Sequence, residues 1–477
     1  MNLAKITGPV LALAIVAGCS GIETRRGAVD AGEGLRLGVL ADTQSTTLEK
    51  TSGYLFRTMR ADAVENVAIR TAAQEFLSVD QLGYLLGDVA SRGPDAVLYL
   101  GDAANSGCAD ELAKVFGVLS AARESSGIPI FFAVGNHDYL ATGNQASPEQ
   151  RSLACGGKDY DTKAELVVRA SVFNRESWER FAKPGGMFRA YTDSVDAVNA
   201  IAGHGCRASE PLQQVDGCFY AAVLAFEKQG RKGELILVDT SDYESLVLNP
   251  AWLGGPTWAE GRGLRGGVSY SADGQNGWIL AHTDDSGLEF RYLASHYPTR
   301  DLNWFNLPSG RIGDLLAEGA RNVWLSAHTH QPDPDDPVVR GLSYSGPWGL
   351  GGHSPPYDEV NTGSTTDHRA HGSIVEFVDG RAEKTPVLAL GSEGQAGCIS
   401  WLENLRLDAV YGYPLPGVGD TRVRLGLTAD YRKADYGVAA AQANIQRLLE
   451  TAEDKADRER MVRCLMYVAA ETESRAD

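Results

Sequence analysis

The stretch FFAVGNHDYL, residues 131–140, decides how this chain is read. An apolar run, Phe131 to Val134, has the length and composition of a buried strand. It stops at Gly135 and gives way to Asn136, His137 and Asp138. Such a strand ends by presenting an amide, an imidazole and a carboxylate in succession. Two earlier runs have the same design: LRLGVLAD (35–42) delivers Asp42 and then Gln44, and AVLYLGD (96–102) delivers Asp102 and then Asn105.

Helical patterns separate these strands. In SVDQLGYLLGDVASRG (78–93), Ser78 and Gln81 predict a capping-box start, and Leu82, Leu85, Leu86 and Val89 share one face. A second helix is predicted around Asp110 to Arg123, closing at Gly127 and Pro129. Strand–helix alternation at this spacing predicts βαβ units with right-handed crossovers. Strand patterns resume at CFYAAVLAF (218–226), ELILVDT (234–240), FRYLAS (290–295), NVWLSA (322–327) and SIVEFV (373–378). The looser stretches, about 139–217 with a helical piece near Glu165 to Phe181 and about 242–275, read as insertions, the first lying over the active face. After about Pro386 the chain changes character, and Ala434 to Thr472 predicts helix, so 386–477 reads as a mainly helical extension of a domain spanning 35–385. No internal repeat is present.

Composition narrows the class. A 477-residue chain with 43% apolar and 22% charged residues is that of a folded globular protein. A formal charge of −18 excludes broad-surface nucleic-acid binding, which needs Lys and Arg to replace phosphate counterions. A small phosphorylated ligand remains open where a metal supplies positive charge. Residues 1–18 have a basic Lys5 and an apolar run too short to span a bilayer, ending in Val16-Ala17-Gly18 before Cys19. That ending resembles the lipobox of bacterial lipoproteins, which implies acylation of Cys19 and a tether over 19–34. The protein is then expected to be exported and lipid-anchored, on the periplasmic face of a membrane or at the cell surface. An ordinary signal peptide cut near Gly18 is the alternative. Six cysteines remain, an even number that fits disulfides in an exported chain; Cys206–Cys218 closes the shortest loop and is the first choice of pair.

Further candidates stand at later strand ends: His296 in ASHYPTR, and His328 and His330 in SAHTH, which lie two apart and so point the same way. Ends of this kind are where open α/β sheets bind ligands. Taken singly, Asp42 and Asp102 could be helix N-caps and His296 a structural histidine. Taken together, carboxylates, imidazoles and amide oxygens suit hard-to-borderline divalent metals such as Mn, Fe, Zn, Co or Mg. Seven candidates are enough for two ions, which at about 4 Å apart can share a carboxylate and a bridging hydroxide.

The ordered series D-x-Q, GD-x-x-N, GNHD, a lone His and AHTH resembles the calcineurin-like metallophosphoesterases over about residues 35–380. The resemblance implies an α/β sandwich of two sheets flanked by helices, four layers in the order αββα, with a lid insertion and the helical extension. It implies that Asp42, Gln44, Asp102 and His330 hold one metal, and that Asp102 bridges to a second completed by Asn136, His296 and His328. His137 would not ligate; it would protonate or stabilise the leaving oxygen. Asn105, Asp138 and Arg300 are candidates to support the ligands or touch the phosphate.

Three departures from the family pattern stand out. Gln44 replaces the commoner His with a weaker neutral ligand. Asn105 stands where phosphoprotein phosphatases keep an Asp paired with the catalytic His, so His137 is less readily held as imidazolium, and where purple acid phosphatases need Tyr, which disfavours that subfamily. Ala327 replaces the Gly before the His pair. In NTGSTTDHRAH (361–371), Ser364, Thr365, Asp367 or His368 approach the site or form a structural turn. His353 reads as part of a flexible loop, and His204 and His282 have no nameable partners. The expected activity is metal-dependent hydrolysis of a small phosphoester. The alternatives are a nucleotide or nucleotide-sugar hydrolase and a non-catalytic binding lipoprotein on the same fold.

Overall fold

The computed structural model of the protein describes residues 33–46, 54–60, 63–70, 72–138, 155, 163–195, 218–242, 266–268, 274–302, 313–330, 333–343, 354–367, 370–390, 398 and 449–467. The first sheet is built on β1 (Glu33–Leu40), β4 (Ala96–Tyr99) and β5 (Ile130–Phe132), which run parallel, as βαβ units require. A hairpin, β13 (His371–Val378) and β14 (Arg381–Leu388), adds antiparallel to β1, giving the order β14-β13-β1-β4-β5. The crossover helices are α1 (Ala72–Ser91) and α2 (Ala109–Ser126), and α2 ends at Gly127 in the left-handed conformation that the sequence predicts for its C-cap.

The second sheet is centred on four parallel strands, β8 (Arg231–Val238), β9 (Phe290–Ser295), β10 (Arg321–Ser326) and β12 (Tyr357–Asn361). Antiparallel β11 (Val339–Leu342) lies on one side, and β7 (Ala222–Lys228) with β6 (Phe188–Asp193) on the other. A separate hairpin pairs β2 (Tyr54–Arg60) with β3 (Ala63–Arg70).

Side-chain alternation sorts the second sheet into its two faces. Leu235, Leu237, Tyr292, Ala294, Val323 and Leu325 join the core shared with the first sheet. Their neighbours Ile236, Val238, Leu293 and Trp324 form a second core with Ile279 of α4 (Gln275–His282). Helices α1 and α2, with α3 (Lys163–Phe181), cover the first sheet. The two central sheets between helical layers match the expected αββα order, and every parallel strand directs its C-terminal end to one rim.

Several expectations are corrected. Helix α1 begins at Ala72 and runs through Ser78, so Ser78 and Gln81 are interior residues, not a cap. Both are buried, and Ser78 Oγ and the two amide atoms of Gln81 have no hydrogen-bond partner. A capping motif is a local signal, and tertiary context overrides it here. The stretch 139–217 is not simply an insertion: α3 packs on β5, and β6 extends the second sheet. Strand β14 crosses the boundary placed at Pro386, which is tolerated because the strand lies at the sheet edge.

Disulfides join Cys108 to Cys155 and Cys398 to Cys464, and Cys218 is also disulfide-bonded; Cys206 lies outside the described residues. Of the predicted C-terminal helix, α5 (Lys455–Tyr467) is described. It packs on α1, where the Arg463 guanidinium spans Asp88 at 2.8 and 3.0 Å. No helix among the described residues is long and apolar enough to cross a membrane, and Cys19 lies outside them.

Candidate metal centre

Backbone strain marks the site before any side chain is considered. Among the described residues seven non-glycine positions have positive φ, and five of them are Asp42, Gln44, Asp102, His328 and His330. The other two, Gln229 and Asp379, precede glycines in tight hairpins, where this conformation is required. A left-handed residue costs about 1–3 kcal/mol and persists where surrounding contacts enforce it, typically at functional sites.

Those contacts are specific. The loops after β4 and β5 touch backbone to backbone: a Cβ on Gly101 would lie 2.3 Å from Gly135 N, and one on Gly135 only 2.2 Å from Asp102 N. The glycine before each ligand is therefore fixed by the close approach of the two loops. Asp138 ties them together. Its buried carboxylate accepts from the backbone N–H groups of Asp102 (2.9 Å), Gly135 (2.9 Å) and Ala104 (3.0 Å). Both carboxylate oxygens of Asp138 are thus engaged in holding the two loops together.

Seven side chains converge on this rim. Asp102 is central: its Oδ2 lies 3.3 Å from His296 Nε2 and 3.2 Å from Gln44 Nε2, while Oδ1 accepts the His137 N–H at 2.8 Å. On one side, His330 Nε2 stands 3.5 Å from Asp42 Oδ1 and 3.2 Å from Gln44 Nε2. On the other, His328 Nδ1 stands 3.2 Å from His296 Nε2 and 3.1 Å from Asn136 Oδ1. Two groups can each hold an ion, Asp42–Asp102–His330 and Asp102–His296–His328, and they share Asp102.

The donor atoms are prepared for a cation. His296 Nδ1–H donates to Leu100 O at 2.8 Å, so it is Nε2 that faces Asp102. Burial alone would lower the His296 imidazole, but the Asp102 carboxylate beside it raises it to about 9. Burial likewise works against the charge on Asp102, yet His296 and His137 hold its carboxyl well below the usual range. Burial pushes Asp42 up to about 6 against the pull of His330 and His296, and its Oδ1 is fully buried without a hydrogen-bond partner. Burial drives His328 well below its ordinary value, which keeps it neutral as a ligand must be. An orphaned carboxylate oxygen among imidazole lone pairs is the donor set of a divalent metal. Gln44 presents its NH₂ here, and a half-turn of the amide presents its oxygen instead.

His137 stands apart from the ligand set. Its Nδ1 lies 2.8 Å from the carbonyl of Asn105, which can only accept, so Nδ1 carries the proton and Nε2 points into the centre, 3.9 Å from Asp102 Oδ2. Asn105 therefore supports the imidazole through its backbone, in place of the carboxylate pairing found in phosphoprotein phosphatases. Ala327 is buried and lies outside the positive-φ positions, so its methyl group fits.

Arg300 is not brought to the centre. It sits on the 3-10 turn Thr299–Asp301 with its side chain 67% exposed, 3.9 Å from Asp301. A phosphate contact cannot be inferred from sequence adjacency to His296, because the turn after Pro298 carries Arg300 outward. His282 stacks on Trp278 at the exposed end of α4. His204, His353 and His368 lie outside the described residues.

Two supports escaped the sequence reading. The Tyr297 ring packs 4.0 Å from the His328 ring and edge-on to His296 at 5.4 Å. Asn361 holds the His328–His330 loop, donating to Ala327 O (3.0 Å) and accepting from Thr329 Oγ1 (2.8 Å). Adjacency to His296 was the available signal for Tyr297; Asn361 had none beyond its place at a strand end.

No family model and no curated protein matches this sequence. Among solved structures it is similar to a dimetal phosphatase from Danio rerio, at 11% identity over 74% of this chain and 99% of that one, with a TM-score of 0.38. It is also similar to the NAD nucleotidase of Haemophilus influenzae (13%, 74% and 50%, 0.32) and to a purple acid phosphatase from yellow lupin (12%, 76% and 52%, 0.31). The chain spans about half the length of these last two. Scores this low carry no argument about function, which rests on the ligand geometry.

Proposed function

We propose that the protein is a binuclear, metal-dependent hydrolase of small phosphoesters. The observation that carries this reading is the shared Asp102: one buried carboxylate belongs to both three-residue groups, with His296 and His328 on one side and Asp42 and His330 on the other. Asp42, Gln44, Asp102 and His330 would hold one ion, and Asp102, Asn136, His296 and His328 the other. Two divalent ions, when bound, supply a water of lowered pKa as nucleophile and offset charge that develops on the phosphate.

The protein's own groups do the rest. Asp138 and the two glycines hold the strand-end loops at a fixed separation, which positions the reacting groups before substrate arrives. Because the Asn105 carbonyl keeps the proton on Nδ1 of His137, the imidazolium form gives up its Nε2 proton, and that atom is aimed into the centre to meet the leaving oxygen.

Export with a lipid anchor on Cys19 belongs to the same proposal. The Cys108–Cys155 and Cys398–Cys464 disulfides support it, since such bonds persist in oxidising compartments.

The test is metal analysis of the purified protein, run beside hydrolysis of chromogenic phosphate mono- and diesters with Mn(II) restored. About two equivalents of metal with chelator-sensitive turnover are expected, and the preferred ester names the substrate class. Protein that neither takes up metal nor turns over any ester sinks the proposal.

A further inference from the structure

The loop that carries Asp42 and Gln44 is held along one side by residues far away in sequence. Three successive carbonyls are engaged: Thr365 N–H donates to Ala41 O (3.0 Å), Ser364 Oγ to Asp42 O (2.8 Å) and Thr366 Oγ1 to Thr43 O (2.6 Å). The hydroxyls of Thr43 and Thr365 pair at 2.8 Å. The segment's own turn closes on Ser364 Oγ, which accepts from the N–H groups of Thr366 and Asp367, both at 3.0 Å.

That turn aims one more carboxylate at the centre. Asp367 is buried, 2% exposed, and its Oδ2 accepts a hydrogen bond from Nδ1 of His330. A carboxylate there fixes the proton on Nδ1, turns the Nε2 lone pair toward Asp42 and Gln44, and makes the imidazole a more basic ligand. Among the described residues His296 of the second group has no such carboxylate on its outer nitrogen: its Nδ1 donates to the neutral carbonyl of Leu100. The outer carboxylate therefore serves the group in which a neutral amide, Gln44, takes the place of a stronger ligand.

We propose that Asp367 is a positioning residue for the Gln44-containing metal site, delivered by the Ser364–Thr366 segment and raising the basicity of His330 to offset the weak amide ligand. The inference rests on the binuclear reading above and deepens it, because it assigns the two sites different sources of affinity. The residue touches neither substrate nor metal and acts through His330.

The experiment titrates the metal-stripped full chain with Mn(II), measuring a dissociation constant for each equivalent by calorimetry. Wild type is expected to take two equivalents. In Asp367→Ala one equivalent weakens about 10- to 100-fold while the other is unchanged. Asp367→Asn, whose amide oxygen can still accept from Nδ1 without the charge, falls between. The thermal midpoint of each metal-free protein verifies folding; if Asp367→Ala does not fold, Asp367→Asn decides by the same criterion, one weakened equivalent. Two equivalents with unchanged constants in the variants overturn this inference and leave the binuclear reading intact, as does equal weakening of both. A wild-type protein that takes up no Mn(II) removes the binuclear reading, and this inference with it.

Discussion

Replacing Gly135 by alanine tests the claim that close contact between two strand-end loops sets the geometry of the centre. The added Cβ would stand 2.2 Å from Asp102 N and 2.3 Å from Asp102 Oδ1, and neither neighbour can yield, since one is backbone and the other is the shared carboxylate. The loops must separate by roughly 1 Å, a displacement of the size that costs about 100-fold in rate when reacting groups are misplaced. Overpacking of a buried contact adds a stability loss of about 1–3 kcal/mol. The assay compares kcat/KM on the preferred ester, bound metal, and urea denaturation for Gly135→Ala and wild type. Gly117→Ala is the control: Gly117 lies mid-helix in α2 with open space around it, so that change should leave turnover intact and raise stability by about 1 kcal/mol. Wild-type turnover and metal content in Gly135→Ala would refute the reasoning, because they would mean the loops tolerate separation.

Three further outcomes are expected. His137→Ala should abolish turnover while both equivalents of metal are retained; unchanged activity in that variant overturns the proton-donor role. Cys19→Ser should move the protein from the membrane to the soluble fraction, and continued membrane attachment removes the lipid-anchor reading. Burial pushes the Glu111 carboxyl up to about 8 from an ordinary 4.5, so the folded protein holds a proton that the unfolded chain releases. The stability this group contributes is full below pH 4.5 and is lost as pH rises through about 8, so Glu111→Gln should flatten the decline in urea midpoint across that window. Parallel pH profiles for variant and wild type contradict the assignment.

Much of the site was legible because a parallel strand ends in a fixed place. Asp42, Asp102, Asn136 and His296 each follow an apolar run, so reading where β1, β4, β5 and β9 stop picks out residues that the fold brings to one rim. The wrong expectations came from signals weighed without their partners. Ser78 and Gln81 have the spacing of a cap, but the helix starts earlier, at Ala72, and holds both as buried interior residues. Arg300 follows His296 closely in sequence, yet the 3-10 turn sends it to solvent.

By itself, the sequence carried the strands that end in candidate ligands and the residue types at those ends, while the role set apart for His137 came only from the family resemblance. The strand ends and their residue types depend on which residue follows which apolar run, and that is local information. Tertiary structure alone decided that Asp138 would clamp two loops, that the Asn105 carbonyl would orient His137, and that Asp367 would reach His330. These contacts join separate loops 32–37 residues apart in sequence, and they exist because neighbouring strands end at one rim. No local pattern carries that information, since a hydrogen bond between distant loops leaves no periodicity in either.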